Sequence, residues 1–267
     1  MNRRKFIGYS ALGAAAIATG DMLIEPHRLE TTFHRVALNK GGTPVRVVQI
    51  TDLHLNDFGT HEQRVIEAAN NAKPDLIIIT GDSLDHGGRE YLLDEFMRAL
   101  DPEVPKLSIL GNWEYWSNLD IPSYSRQYSK YNCRLLVNES ANIDFGARRI
   151  RFIGIDDLVA GHPAYDTSFE DKSDVSAEVI LAHCPAHRDI LAEHSALMIS
   201  GHTHGGQITL FGWNPILPQG CGGYNRGWYP ATGRIAGPLY VSRGIGNSMV
   251  NLRMGSIPEV TVFDLLT

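Results

Sequence analysis

Short apolar runs recur along the chain at residues 45–50, 76–80, 106–110, 150–155, 179–182 and 196–200, most of them continuous rather than alternating in polarity. Continuous runs of this length predict strands buried on both faces, where neither side of the pleat meets water. Between several of them lie helix-like stretches at residues 61–72 and 89–100, which stop in front of Lys73-Pro74 and Asp101-Pro102. Such alternation predicts an α/β architecture. Residues 238–242 and 259–265 add two strands with no helix between them, which favours a mixed or two-sheet arrangement over a purely parallel sheet. Residues 25–44 read as a polar, irregular linker ahead of a domain spanning 45–267. Residues 211–230 contain five aromatics, five glycines and three prolines, which predicts a long ordered loop of the kind that forms lids and binding loops.

A length of 267 residues with 43% apolar side chains supports one domain with a sizeable core. The formal charge of −6 argues against sequence-independent nucleic-acid binding, which depends on clustered Lys and Arg. Small anions and lipid-linked phosphates stay open as ligands. Arg3, Arg4 and Lys5 precede a charge-free stretch at residues 6–20 rich in Ala and Gly, the layout of an export signal. That stretch is shorter than the roughly 20 residues that span a bilayer as a helix, and an anchor extended to Ile24 has to carry Asp21. The run Asn2-Arg3-Arg4-Lys5-Phe6-Ile7 resembles the twin-arginine signal of bacterial export. Residues 1–24 are therefore expected to be a signal or anchor engaging the twin-arginine export machinery. The protein is then expected in the periplasm or on the extracytoplasmic membrane surface of a bacterium. Loss of residues 1–20 removes three positive charges and leaves −9. Cys133, Cys184 and Cys221 are odd in number and lack metal-finger spacing, so they form no disulfide framework.

The chemistry falls at the ends of the apolar runs. Residues 45–50 lead to Asp52-Leu53-His54, and 76–80 to Gly81-Asp82-Ser83-Leu84-Asp85. The next run leads to Gly111-Asn112-Trp113-Glu114, 179–182 leads to His183, and 196–200 leads to Gly201-His202-Thr203-His204. In open α/β sheets ligands bind beyond the carboxyl ends of the strands, so five tips spread over 150 residues can converge on one site. Carboxylates, an amide oxygen and four imidazoles form a mixed O and N donor set, which suits Mn, Fe or Zn better than Ca. The glycines before Asp82, Asn112 and His202 leave room for sharp turns and for close approach of a phosphate to the backbone.

Taken in order, these motifs resemble those of the calcineurin-like metallophosphoesterases: D-x-H, G-D-x-x-D, G-N-H-D/E, a lone His, and G-H-x-H. The resemblance spans about residues 45–265 and implies a four-layer α-β-β-α sandwich of two mixed sheets. It also implies two divalent metal ions, with Asp52, His54 and His204 on one, Asn112, His183 and His202 on the other, and Asp82 bridging. The implied activity is hydrolysis of phosphodiesters by a metal-bridging hydroxide, with Asp82, Asn112 and His204 closest to the catalysis. Asp85 either orients a ligand by hydrogen bonding or complements a helix dipole.

Trp113 departs from the pattern, because the family carries a His there and indole cannot donate a catalytic proton. The leaving group must then depart as a stable anion or be protonated by another group. Enzymes that cleave UDP-diacylglucosamine at its pyrophosphate also lack this His, so a UDP-2,3-diacylglucosamine-type pyrophosphatase is the alternative reading. A non-catalytic metal-binding interaction module is a third. Trp113 either packs beside Tyr115 and Trp116 or stacks on a substrate base or sugar. His86 is a candidate substitute acid or a surface histidine. Arg243 resembles a position near the site in the bacterial membrane-associated branch and either clamps a phosphate or lies in solvent. A possible membrane association follows from the signal.

Overall fold

The computed structural model describes residues 22–39, 42–86, 89–171, 173–209 and 213–267; of the expected signal or anchor at 1–24, residues 1–21 lie outside these. Among the described residues, strands β1 (Glu30–Ala37), β2 (Val45–Ile50), β3 (Leu76–Thr80), β4 (Lys106–Ile109) and β5 (Cys133–Leu135) share one sheet with the C-terminal strand. The second sheet takes β6 (Glu139–Phe145), β7 (Arg148–Ile155), β8 (Ala177–Ala182), β9 (Leu197–Ser200), β10 (Gly227–Tyr229) and β11 (Leu239–Val241). With β12 (Glu259–Leu266), the orders are β1-β12-β2-β3-β4-β5 and β10-β11-β9-β8-β7-β6. β2, β3 and β4 run parallel, as do β7, β8 and β9, whereas β12 meets β2 antiparallel, so both sheets are mixed once β6 and β10 are included.

Side chains alternate across each pleat, and this explains why the buried strands read as unbroken apolar runs. Val45 and Val47 of β2, Leu76 and Ile78 of β3, Ile150 and Phe152 of β7, and Val179 and Leu181 of β8 share the core between the sheets. Their neighbours Val48, Ile50, Ile77 and Ile79 face the other way, against Val65 and Ile66 of α1 (Thr60–Asn71) and Leu92, Leu93 and Phe96 of α2 (Glu90–Ala99). Ile153, Ile155, Ile180 and Ala182 do the same on the second sheet. The result is four layers, as expected.

The segment expected to be a linker is corrected: β1 closes the edge of the first sheet, pairing parallel with β12 from Glu30↔Glu259 to Ala37↔Leu266. Its residues alternate between exposed and half-buried, so β1 never builds an apolar run. Its partner supplies the ladder instead. The five-residue α3 (Asn112–Trp116) and α4 (Ile121–Ser129) follow β4; α4 is capped by Asp120, which accepts from Ser123 N at 3.2 Å, with Pro122 in its first turn. Residues 213–226 form no regular element, and β10 then adds a three-residue edge. Cys133, Cys184 and Cys221 are free thiols. Among the described residues no helix is long and apolar enough to cross a membrane.

Candidate metal centre

The five strand tips meet. β2, β3 and β4 end at Asp52 and His54, Asp82, and Asn112, while β8 and β9 of the other sheet end at His183 and at His202 and His204. Gln49 ties the sheets together beneath the tips, its buried Nε2 donating to Thr80 Oγ1 at 2.8 Å and to Ser200 O at 3.0 Å. Five of the seven candidate ligands are non-glycine residues at positive φ: Asp52, His54, Asp82, His202 and His204. Each such conformation costs of order 1–3 kcal/mol and persists only where surrounding contacts enforce it. Here Asp52 N donates to Gly81 O, His54 N to Asp82 O, and Gly246 N to Asp52 O.

Hydrogen bonds from outside orient all four imidazoles. His183 Nδ1 donates to Thr80 O at 2.8 Å, His202 Nε2 to Gln219 O at 2.6 Å, and His204 Nδ1 to Gly246 O at 3.2 Å, while His54 Nδ1 pairs with Asp85 Oδ1. The four inner nitrogens are left facing one another in pairs. His54 Nε2 lies 3.0 Å from His204 Nε2, and His202 Nδ1 lies 3.2 Å from His183 Nε2. Opposed lone pairs at this range need a cation between them, either a proton or a metal ion. In each pair one ring is driven towards its cation. Burial opposes charge on His54 and His183, yet Asp85 and Asp82 respectively raise them above the ordinary histidine range. Burial and the neighbouring imidazole push His202 down to about 4, and His204 well below its ordinary value.

The ligand atoms form two groups, Asp52, His54, His204 and Asp82, His183, His202, each with its atoms within 4.8 Å of one another. Asp82 Oδ2 stands between them, 3.1 Å from His183 Nε2 and 3.8 Å from His54 Nε2. Its other oxygen is occupied by Trp113 N at 2.9 Å. Burial works against the Asp82 carboxylate, but the charge and hydrogen bond of His183 hold it well below the usual range. Asn112 is buried, and its Oδ1 has no hydrogen-bond partner among the described residues. A buried orphan carbonyl is costly unless something absent from the chain takes it up. Facing ring nitrogens, a carboxylate between two sets and an unclaimed amide oxygen fit a pair of divalent ions; six of the seven predicted ligands fall in the two groups, and Asn112 stands between Gly111 and Trp113, whose backbones abut Asp82.

The glycines before Asp82 and Asn112 leave room for ligand side chains. Gly81 is left-handed at φ +90, and a Cβ there would stand 2.6 Å from His183 Nδ1. A Cβ at Gly111 would collide with the Asp82 carboxylate.

Around the ligands, Asp85 proves to be an orienting residue: it takes up His54 Nδ1, and Asn56 Nδ2 donates to its other oxygen at 2.6 Å. Glu114, buried, accepts from Asp82 N at 3.0 Å, Ser83 N at 2.7 Å and Gly111 N at 2.9 Å, so one carboxylate fixes the backbone of two ligand loops. Of the two expectations for Arg243, the solvent arginine is not what the structure shows. Arg243 is largely buried, and its Nη2 is held by Glu259 at 2.9 Å and Glu30 at 2.8 Å, which face it from β12 and β1. The arginine that does approach a ligand is Arg253, whose Nη2 lies 3.3 Å from His204 Nδ1. No motif surrounds it in the sequence. Trp113 sets its ring edge-on to His54 at 5.7 Å and packs on the exposed Trp116 at 5.6 Å, while Tyr115 turns away to donate to Asp156 Oδ1 at 2.6 Å. His86 is exposed, its ring 6.5 Å from that of Trp113.

Behind His183, burial depresses His187 to about 4, so it folds as a neutral ring. An unfolded histidine titrates near 6.5. The stability this contributes is complete above pH 6.5 and is lost as pH falls towards 4, by up to about 3 kcal/mol. Urea titrations of metal-loaded protein at pH 7.5 and 5 are expected to show this loss, and His187→Gln is expected to shrink it; an equal loss in the variant would refute the assignment.

A family model described as calcineurin-like phosphoesterase matches residues 45–206, which include every candidate ligand. The chain is 32% identical over 290 residues to the uncharacterized metallophosphoesterase YkuE of Bacillus subtilis (strain 168), covering 99% of this chain and 98% of that one. It is 26% identical over 284 residues to the phosphodiesterase YaeI of Escherichia coli (strain K12), covering all of both chains. The crystal structure of a 5'-nucleotidase precursor from Thermus thermophilus superposes with a TM-score of 0.51 at 14% identity over 84% of this chain. This chain spans 54% of that nucleotidase, and the likeness is one of fold. The order of the motifs, their convergence at the strand tips and the full-length relatives agree, and the chain belongs to the calcineurin-like phosphoesterases, metal-dependent hydrolases of phosphoester bonds.

Proposed function

We propose that this protein is an exported phosphodiesterase with a dinuclear centre: Asp52, His54 and His204 hold one ion, Asn112, His183 and His202 hold the other, and Asp82 is shared. The observation that carries the reading is the pairwise facing of four imidazole nitrogens around Asp82 Oδ2. Divalent ions held there supply Lewis acidity towards phosphoryl oxygens and lower the pKa of an attacking water. The chain's own contribution is positional. Trp113 N and Glu114 hold Asp82 so that Oδ2 faces both sets, and Asp85, Thr80, Gln219 and Gly246 engage the outer ring nitrogens, which turns the inner nitrogens towards one another. The twin-arginine-like run supports export, and the phosphodiesterase name of YaeI supports the reaction class.

Loading the purified protein with Mn²⁺ and assaying bis-p-nitrophenyl phosphate tests the reading: turnover is expected, abolished by chelation and restored by the ion. Absence of turnover with Mn, Fe and Zn alike would leave the binding-module reading. Cell fractionation tests export, because a wholly cytoplasmic mature chain contradicts it.

Trp113 favours a narrower substrate class. No ionisable side chain occupies the position beside Asn112, so bonds to good leaving groups, pyrophosphate and aryl phosphate, are the expected substrates, and the UDP-acylsugar pyrophosphatase reading stays in play. A general acid contributes about 10²–10⁴-fold. Trp113→His is therefore expected to raise turnover of alkyl phosphodiesters by at least about tenfold, with p-nitrophenyl esters little changed. Equal effects on both leaving groups would show that the missing acid does not limit the reaction.

A further inference from the structure

We infer that Glu25 is a positioning residue of the metal centre, latching the chain just past the expected signal onto the segment that braces His204; the inference rests on the dinuclear reading above. Glu25 is only 2% exposed, although it stands close to the polar run that precedes β1. Its carboxylate accepts from Gly255 N at 2.9 Å and from Ser256 N. Three residues earlier, Met22 O accepts from Arg253 N at 3.2 Å. The latch therefore closes on residues 253–256 from the N-terminal side, 230 residues away in sequence.

Those residues bear on His204 from two directions. Ser256 Oγ donates to His204 O at 2.6 Å. Arg253 is 0% exposed, and its guanidinium donates to Asn247 Oδ1, Arg243 O, Ser256 O and Gly246 O. Gly246 O is also the carbonyl that takes the His204 Nδ1 proton, at 3.2 Å. With that proton held on Nδ1, His204 Nε2 is left to face His54 Nε2 at 3.0 Å and Asp52 Oδ1 at 3.7 Å. Outer partners of this kind set ring orientation and ligand basicity, and their loss costs about 10–100-fold in metal affinity. Glu25 acts one step further out, by holding the loop that carries those partners. In the other set His183 and His202 take their orienting bonds from Thr80 and Gln219 and Asp82 from Trp113 N, none of which belongs to residues 253–256.

Two consequences distinguish a positioning role from a structural one. Loss of Glu25 is expected to weaken one metal site and spare the other. Any processing of the signal must also cut before Glu25, since a cut beyond it removes the latch.

The test uses the full chain, stripped of metal and titrated with Mn²⁺ by calorimetry, with bound metal counted and melting measured with and without Mn²⁺. The parent is expected to bind two ions; failure to do so overturns the dinuclear reading itself and is seen before any variant is made. Glu25→Gln keeps the shape of the side chain but places an amide N–H₂ against a backbone donor, and it is expected to weaken one of the two sites by about 10–100-fold. Ser256→Ala, which removes only the hydroxyl on His204 O, is expected to weaken the same site less. Lowered melting with both affinities unchanged would overturn the proposal, and if Glu25→Gln gives no soluble protein, unchanged affinities in Ser256→Ala do so. The intact mass of the exported protein supplies a separate check: an uncut chain or a cut before Glu25 agrees with the latch, and a cut after Glu25 overturns it.

Discussion

Asp82→Ala is expected to cut phosphodiester turnover by about 10²–10⁴-fold and to lower bound metal from two ions to at most one per chain. The magnitude follows from the several kcal/mol that metal ions contribute to stabilising a phosphoryl transition state, at about 1.4 kcal/mol per tenfold in rate. Asp82 is the ligand whose loss reaches both sets, because its Oδ2 stands within 3.8 Å of His54 Nε2 and 3.1 Å of His183 Nε2. The effect is expected in kcat, with metal counted by mass spectrometry on the same samples. Turnover close to the parent's with two ions retained would remove Asp82 from the centre.

Glu114→Ala is expected to produce the largest loss of stability, about 3 kcal/mol or more. The carboxylate is fully buried and accepts from three backbone donors, Asp82 N, Ser83 N and Gly111 N, as well as from Tyr124 Oη at 3.3 Å. Each buried donor left without a partner costs about 1–3 kcal/mol. For a chain of this size 1 kcal/mol moves the melting temperature by about 2–4 °C, so a drop of roughly 6 °C or more should appear in calorimetry. Glu114→Gln keeps one accepting oxygen and is expected to fall between parent and Ala. A Glu114→Ala protein that melts with the parent would mean that these donors find water instead.

The strands that carry ligands were legible because burial on both faces removes polar residues until the chain leaves the sheet, where polarity returns abruptly. Asp52, Asp82, Asn112, His183 and His202 each stand within two residues of such a switch. β1, β5 and β6 were not legible, because edge or half-exposed strands need no continuous apolar run. β1 exists because β12 offers it a register along eight residues. Among the site residues, ligand types announced themselves by clustering, whereas Arg253 and Glu25 did not. Arg253 works through four oxygen acceptors, three of them carbonyls, that folding brings around it, and no spacing in Asn251-Leu252-Arg253-Met254 encodes that. The partners of Arg243 were equally hidden: Glu30 on the unforeseen β1 and Glu259 hold its Nη2.

The order and kinds of the ligands, and the alternation of buried strands and helices, follow from residue chemistry and hydrophobic period and so belong to the chain as written. Which ring nitrogen of each histidine faces inward was decided only in three dimensions. The reason is that the deciding partners, Thr80 O, Gln219 O, Gly246 O and Asp85, are mostly backbone atoms and mostly distant in sequence. Every residue has a backbone carbonyl, so its presence in the sequence says nothing; its direction after folding selects the tautomer, and with it the metal-binding atom.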